Sequence, residues 1–261
     1  MKVEKFFVPT TLTTIDDVLA NLSDKDMLEQ VTISVRNSLS SCSSFISPEA
    51  SISKYATISG PVHIGAGVII EDYAVIKGPV IIYDNTFIGQ HALIRGATII
   101  GSNTTIGHGC EIANSMILNN TVIAHYNIIT CSLIGSNVNF SAFASTAAFL
   151  LKNTQIRELD VPVVLHNSNG ESYPANSFKF GSIIGDNCRI GAFTLLNPGV
   201  IMEKNCIVYP LLNVSANYYR EYSSIYMEEY LTKFIIQIGQ RNPRHELSSK
   251  PPRIKGVKLD D

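Results

Sequence analysis

The chain has 261 residues, of which 45% are apolar and only 16% charged, against roughly 25% charged in an ordinary soluble domain. That balance excludes a disordered, charge-rich chain, and 20 Lys+Arg against 22 Asp+Glu exclude a basic nucleic-acid reader. No apolar run approaches the ~20 residues of a membrane helix, and no signal-like apolar segment opens the chain.

Five cysteines without a CxxC pair fit a reducing compartment, so a cytoplasmic protein is expected. Zero Trp beside 33 isoleucines points to a repeat. Residues 1–45 read as a polar flank with a helical stretch around Thr14 to Asn37. From Ile46 the chain places twelve isoleucines six residues apart, through Ile64, Ile88 and Ile100 to Ile112. Neither a 3.6-residue helix nor simple strand alternation demands that spacing. Four residues after each Ile comes a small or slim residue, as in Ala74, Thr86, Ala92 and Cys110, and glycine often follows the Ile, as at Ile106-Gly107.

Short flat strands joined by sharp turns explain the period. One large residue per strand fills the axis, a small one sits at the corner, and Gly or Asn accepts the corner's backbone angles. Three hexads make a triangular turn of about 18 residues, stacked at about 4.8 Å. This pattern is identified as that of the left-handed parallel β-helix, an all-β solenoid; the left hand is implied by the resemblance alone.

The frame is expected to run through Leu118, slip near Ala124 to Ile134, and break after about Leu151. It returns at Ile184, Ile190, Leu196, Met202 and Val208, so the coil is assigned to 46–214, with a Pro/Asn/Gly-rich loop at about 152–180. Cys110, Cys188 and Cys206 fall on the small inward position and read as core. Beyond it, in 215–261, the stripe Tyr222, Tyr226, Tyr230, Phe234 and Ile238 predicts an amphipathic helix, followed by a flexible tail.

Such a coil suits a CoA-dependent acyltransferase, a γ-class carbonic anhydrase, or a non-catalytic scaffold or regulatory subunit. His91, His108 and His125 recur every 17 residues, and the segment around His108 resembles a γ-carbonic anhydrase ligand segment. That family's further histidine is Ala113 here and its earlier ligand falls near Asp72, so no metal is expected.

The segments CEIANSMILNNTVIAHYNIITCSLIGSNVNFSAF and FKFGSIIGDNCRIGAFTLLNPGV carry a second resemblance, over about half the chain. The stretch from Ile88 to Val214 resembles the C-terminal acetyltransferase domain of bifunctional glucosamine-1-phosphate acetyltransferase/N-acetylglucosamine-1-phosphate uridylyltransferases. Their Gly-rich nucleotidylyltransferase half has no counterpart in the sequence. The resemblance implies acetyl-CoA as cosubstrate, an amino-sugar phosphate or nucleotide-linked amino-sugar as acceptor, and a homotrimer with sites between subunits. It assigns the general base to His125, phosphate binding to Arg95 and Lys179, and sugar binding to Asn139. Ala142 and Ala192 fall in the acetyl-CoA groove. Ala113, Ile128 and Ala148 replace a lysine, a tyrosine and an asparagine of the family, and Ser141 and Phe143 replace two glycines. Either the acceptor differs from glucosamine-1-phosphate or the coil is kept as a scaffold.

Overall fold

The computed structural model describes residues 44–152, 160–175, 177–230 and 233–240. Across it, two- and three-residue strands alternate with corners, and none of the described residues is helical. Val62 pairs in parallel with Val80, and Val80 with Thr98, so one turn takes 18 residues. Three sheets result. The first holds Val62–Ile64, Val80–Ile82 and Thr98–Ile100, the second Phe87–Ile88, Val122–Ile123 and Asn139–Phe140. The third holds Val75–Lys77, Leu93–Arg95, Glu111–Ala113 and Ile128–Thr130. The chain is therefore a parallel β-solenoid. Its axis is filled by the hexad isoleucines from Ile64 to Ile112 together with Val68, Ala74, Ala92 and Cys110. Burial raises the Cys110 thiol above its ordinary pKa and the Cys188 thiol well above it, as befits side chains that pack rather than react.

The frame slips earlier than the spacing suggests. Ile100 pairs Ile117, and Ile117 pairs Ile134, so two turns shorten to 17 residues. Ile117, not Leu118, is the axial residue. The corners at Asn114 and Cys131 turn through a single left-handed residue (φ 48° in both), which removes one residue per turn. Leu118 instead points outward into a second buried cluster.

That cluster explains the interruption. Ile134 pairs Ile184, so the chain leaves the coil for most of a 50-residue step. The insertion is more than a loop: Val164–His166 pairs antiparallel with Ser172–Pro174. Val163, Leu165, Ala175 and Phe180 then bury against Ile99, Met116, Leu133 and Ile183 on the outer face of the first sheet. Each such side chain contributes about 1.5–3 kcal/mol on burial. Strands such as Thr98–Ile100 and Ser182–Ile184 are consequently buried on both faces and lack polar alternation.

At the C-terminal end the expected helix is not formed. Ser223–Tyr230 and Lys233–Gln240 are antiparallel strands, and Ile207 and Val208 pair Ser224 and Ile225, joining the hairpin to the second sheet. A four-residue spacing is also a multiple of the strand period of two, and the run is rich in Tyr, Phe and Ile, which favour strands. The helix expected at 14–37 and the tail from 241 lie outside the described residues.

The three corners solve the left-handed backbone differently. Between the first and second sheets the position is asparagine, in Asn85, Asn103, Asn120, Asn137, Asn187 and Asn205 (φ 55–63°). Between the third and first it is mostly glycine, as in Gly60, Gly96 and Gly199. Between the second and third it is Tyr73, His91, Tyr126, Phe143, Phe193 and Leu211, at φ 55–63° as well. For residues other than Gly and Asn this region costs roughly 1–2 kcal/mol each.

Candidate functional site

The second-to-third corner carries His125. Its backbone oxygen accepts from Phe143 N–H (3.0 Å), Ala142 oxygen from Phe193 N–H (3.1 Å), and Ala192 oxygen from Leu211 N–H (2.9 Å). His125, Ala142 and Ala192 therefore occupy one corner position in three successive turns. The imidazole is exposed, and a Cβ on Gly107 would stand 3.2 Å from its Nδ1. Glycine there lets the ring lie close over the turn below. Beyond His125 the column narrows to methyl groups, leaving a smooth strip beside an ionisable ring.

Asn139 lies on the same side of the coil. It pairs Val122 and Arg189, and its Nδ2 donates to Ser141 Oγ at 3.4 Å. It stands one turn (about 4.8 Å) and three residues (about 10 Å) from the His125 level, within the span of a sugar ring and its substituents.

Arg95 and Lys179 belong elsewhere. Arg95 ends the strand Leu93–Arg95, next to the third-to-first corner, whereas His125 precedes the strand Ile128–Thr130 at the opposite corner. Both cations act on the Cys131 thiol and lower its pKa, although burial outweighs them and leaves it above its ordinary value. The site thus falls into two groups: His125 with Asn139, Ala142 and Ala192, and Arg95 with Lys179 around Cys131. Within one chain the width of the third sheet separates them.

Two members of the second group were not singled out in the sequence. Glu111 Oε1 accepts from Arg95 Nε (2.8 Å) and Nη2 (2.6 Å), fixing the guanidinium and offsetting part of its charge. Arg95 and Glu111 stand on adjacent strands, a relation visible only once the 18-residue turn is drawn. Cys131 breaks the Gly/Asn habit of its corner. Because its thiol is held protonated, carbamidomethylation of Cys131 should be slow at pH 7 and accelerate through and beyond pH 9. Mass spectrometry of the wild type against Cys131→Ser, across that range, checks this.

The histidine series does not converge. His91 stacks on Tyr73 (centroids 5.1 Å apart) and meets His108 edge-on at 5.5 Å. His108 Nε2 and Tyr126 Oη are 2.9 Å apart, and these two rings stand 5.0 Å apart. Gly109 takes the left-handed position in that turn, so His108 fills the space of the missing ring. His125 lies one position off this stack.

These features define a hexapeptide-type parallel solenoid with an imidazole and small corner residues on one flank and a pair of cations on another. Its coil resembles the acetyltransferase domain of GlmU proteins. A family model for the GMPPB C-terminal domain matches residues 76–158. The chain is 38% identical over 98 residues to the bifunctional protein GlmU of Methanococcus vannielii, covering 38% of this chain and 22% of that protein. To the bifunctional protein GlmU of Methanococcus maripaludis it is 37% identical over 99 residues, with the same coverage. The matched stretch spans about a fifth of these relatives' length. Among solved structures it is similar to perosamine N-acetyltransferase from Caulobacter crescentus in complex with CoA and GDP-perosamine. The identity there is 16% and the TM-score 0.40, covering 42% of this chain and 58% of that one.

Proposed function

We propose that this chain is a CoA-dependent acyltransferase, acetylating the amine of an amino-sugar phosphate or nucleotide-linked amino-sugar. It works in the cytoplasm as a homotrimer of left-handed coils. The observation that carries this reading is the column of His125, Ala142 and Ala192. It sets a proton acceptor at the head of a strip smooth enough for the pantetheine arm of acetyl-CoA.

The acceptor amine attacks the thioester carbonyl as His125 takes its proton, and the C–S bond then breaks to release CoA thiol. Asn139 hydrogen-bonds the sugar, and Arg95 and Lys179 hold the phosphate. Since those cations stand at the far corner, a complete site draws His125 from one copy and the cations from a neighbour. Head-to-tail contact between unlike corners closes naturally into a ring. Glu111 shares Arg95 with the incoming phosphate, so binding rests more heavily on Lys179. Ala113, Ile128 and Ala148 cannot replace the family's lysine, tyrosine and asparagine, which makes glucosamine-1-phosphate a poor acceptor. A deoxygenated or nucleotide-linked amino-sugar suits Ile128, 46% exposed, and Phe143 better.

Calorimetry with acetyl-CoA and with CoA tests the reading before the acceptor is known. Saturable binding at no more than one site per chain is expected, weakened at least tenfold by Ala142→Arg, which would fill the strip. No heat at millimolar ligand would favour the second reading, a scaffold or regulatory coil, to which the loss of three family side chains already lends weight.

A further inference from the structure

The ring column at the second-to-third corner has no part in that reaction, and its side chains run against its backbone. At the first-to-second corner the same left-handed angles are carried by asparagine, the side chain that tolerates them. A ring is not needed to turn the corner either, since Gly109 does so one turn before Tyr126. Tyr126, Phe143, Phe193 and Leu211 are therefore kept for what they present outward.

What they present is an edge. Tyr126 and Phe143 stack at 5.2 Å and 14°, Phe143 and Phe193 at 4.8 Å and 7°, so between the column's ends each ring face is covered by the next. A nucleobase or sugar finds no free face along it. Tyr55, Tyr73, Tyr126, Phe143 and Phe193 are nonetheless 47–57% exposed and Leu211 70%. Ile69 and Val122 on one side and Ile128 and Leu195 on the other add further exposed aliphatic surface. The band amounts to on the order of 800 Å², close to the area one partner contributes to a standard interface. Soluble monomers rarely leave so large a contiguous apolar patch open.

The shape of the ridge names its occupant. From Tyr55 to Leu211 it advances one side chain per turn over eight successive turns, a straight line of about 34 Å at the strand spacing. A rounded partner touches such a line at a few points only. A straight face with the same repeat and the same length is offered by another copy of this coil. We infer that the ring column is the seam on which a second copy of this chain packs, with its coil axis parallel. The inference rests on the proposed assembly and supplies the residues that hold it. His125, Ala142 and Ala192 each precede a seam residue by one position, so the seated copy walls in the acyl strip.

The asparagine corner supplies a variant that separates assembly from folding. Phe143→Asn combined with Phe193→Asn places at the seam the residue type the other corner uses at the same angles, so the coil should keep its far-UV dichroism and melting temperature. Light scattering at micromolar protein is expected to show an assembled wild type and a variant at the 28.6 kDa of a single chain. A folded variant that assembles like the wild type would overturn the seam, and so would a monomeric wild type. Acetyl-CoA calorimetry on the same wild-type sample separates the two readings. An assembled protein that loses assembly in the variant yet binds no CoA keeps the seam and removes the acyltransferase.

Discussion

His125→Ala should lower the rate of CoA release with a productive amino-sugar acceptor by about 10²–10⁴-fold, the usual worth of a general base. The amine attacks only when neutral, and a positioned imidazole, with an ordinary pKa near 6.5, takes the proton as the C–N bond forms. The effect should fall on kcat with acetyl-CoA affinity retained, because the alanine continues the small-residue column already formed by Ala142 and Ala192. Raising the pH should restore part of the lost rate, as more of the acceptor becomes neutral unaided. An acceptor screen following free thiol, with wild type and variant side by side, checks each point. Equal rates would remove His125 from the mechanism while leaving the acyltransferase class in place.

The coil was legible because its period is a packing requirement. A strand of two or three residues has room for one axial side chain, and isoleucine repeats that choice until the frame is unmistakable. The slips were harder to place, because Ile117 and Leu118 are both buried and only the backbone at Asn114 decides which one faces the axis. The insertion was visible as a break, but its packing was not. Val163, Leu165 and Phe180 find partners far away in sequence. The Tyr222 to Ile238 stripe misled because four residues is both a helical step and two strand steps. The site residues were chosen by resemblance, and their division between two corners emerges only in three dimensions. The ring column was spread through the sequence at intervals of 17, 18 and 50 residues, hidden by the insertion.

Two phenylalanines three residues apart show how strongly position in the turn governs stability. Phe140 is fully buried on the axis, the single ring in a column otherwise built from isoleucine in the turns before it. It lies beneath the corner that carries Ala142. Phe140→Ala removes most of a large side chain from a site whose neighbours are held by parallel pairing on both sides, so the cavity cannot collapse. The expected loss is about 3–5 kcal/mol. Phe143→Ala removes the same atoms from a half-exposed ring at φ 61°, where alanine and phenylalanine bear the same backbone strain. That change should cost about 1 kcal/mol, most of it from stacking on Tyr126 and Phe193. Urea denaturation followed by dichroism, at a protein concentration low enough to keep the chain monomeric, separates the two. Because each turn leans only on its neighbours, Phe140→Ala should also uncouple the turns on either side of it. The transition of that variant should broaden or split while that of Phe143→Ala stays single. Comparable losses for the two variants would mean that the axis at Phe140 repacks, and that the coil is less rigid than its parallel ladders imply.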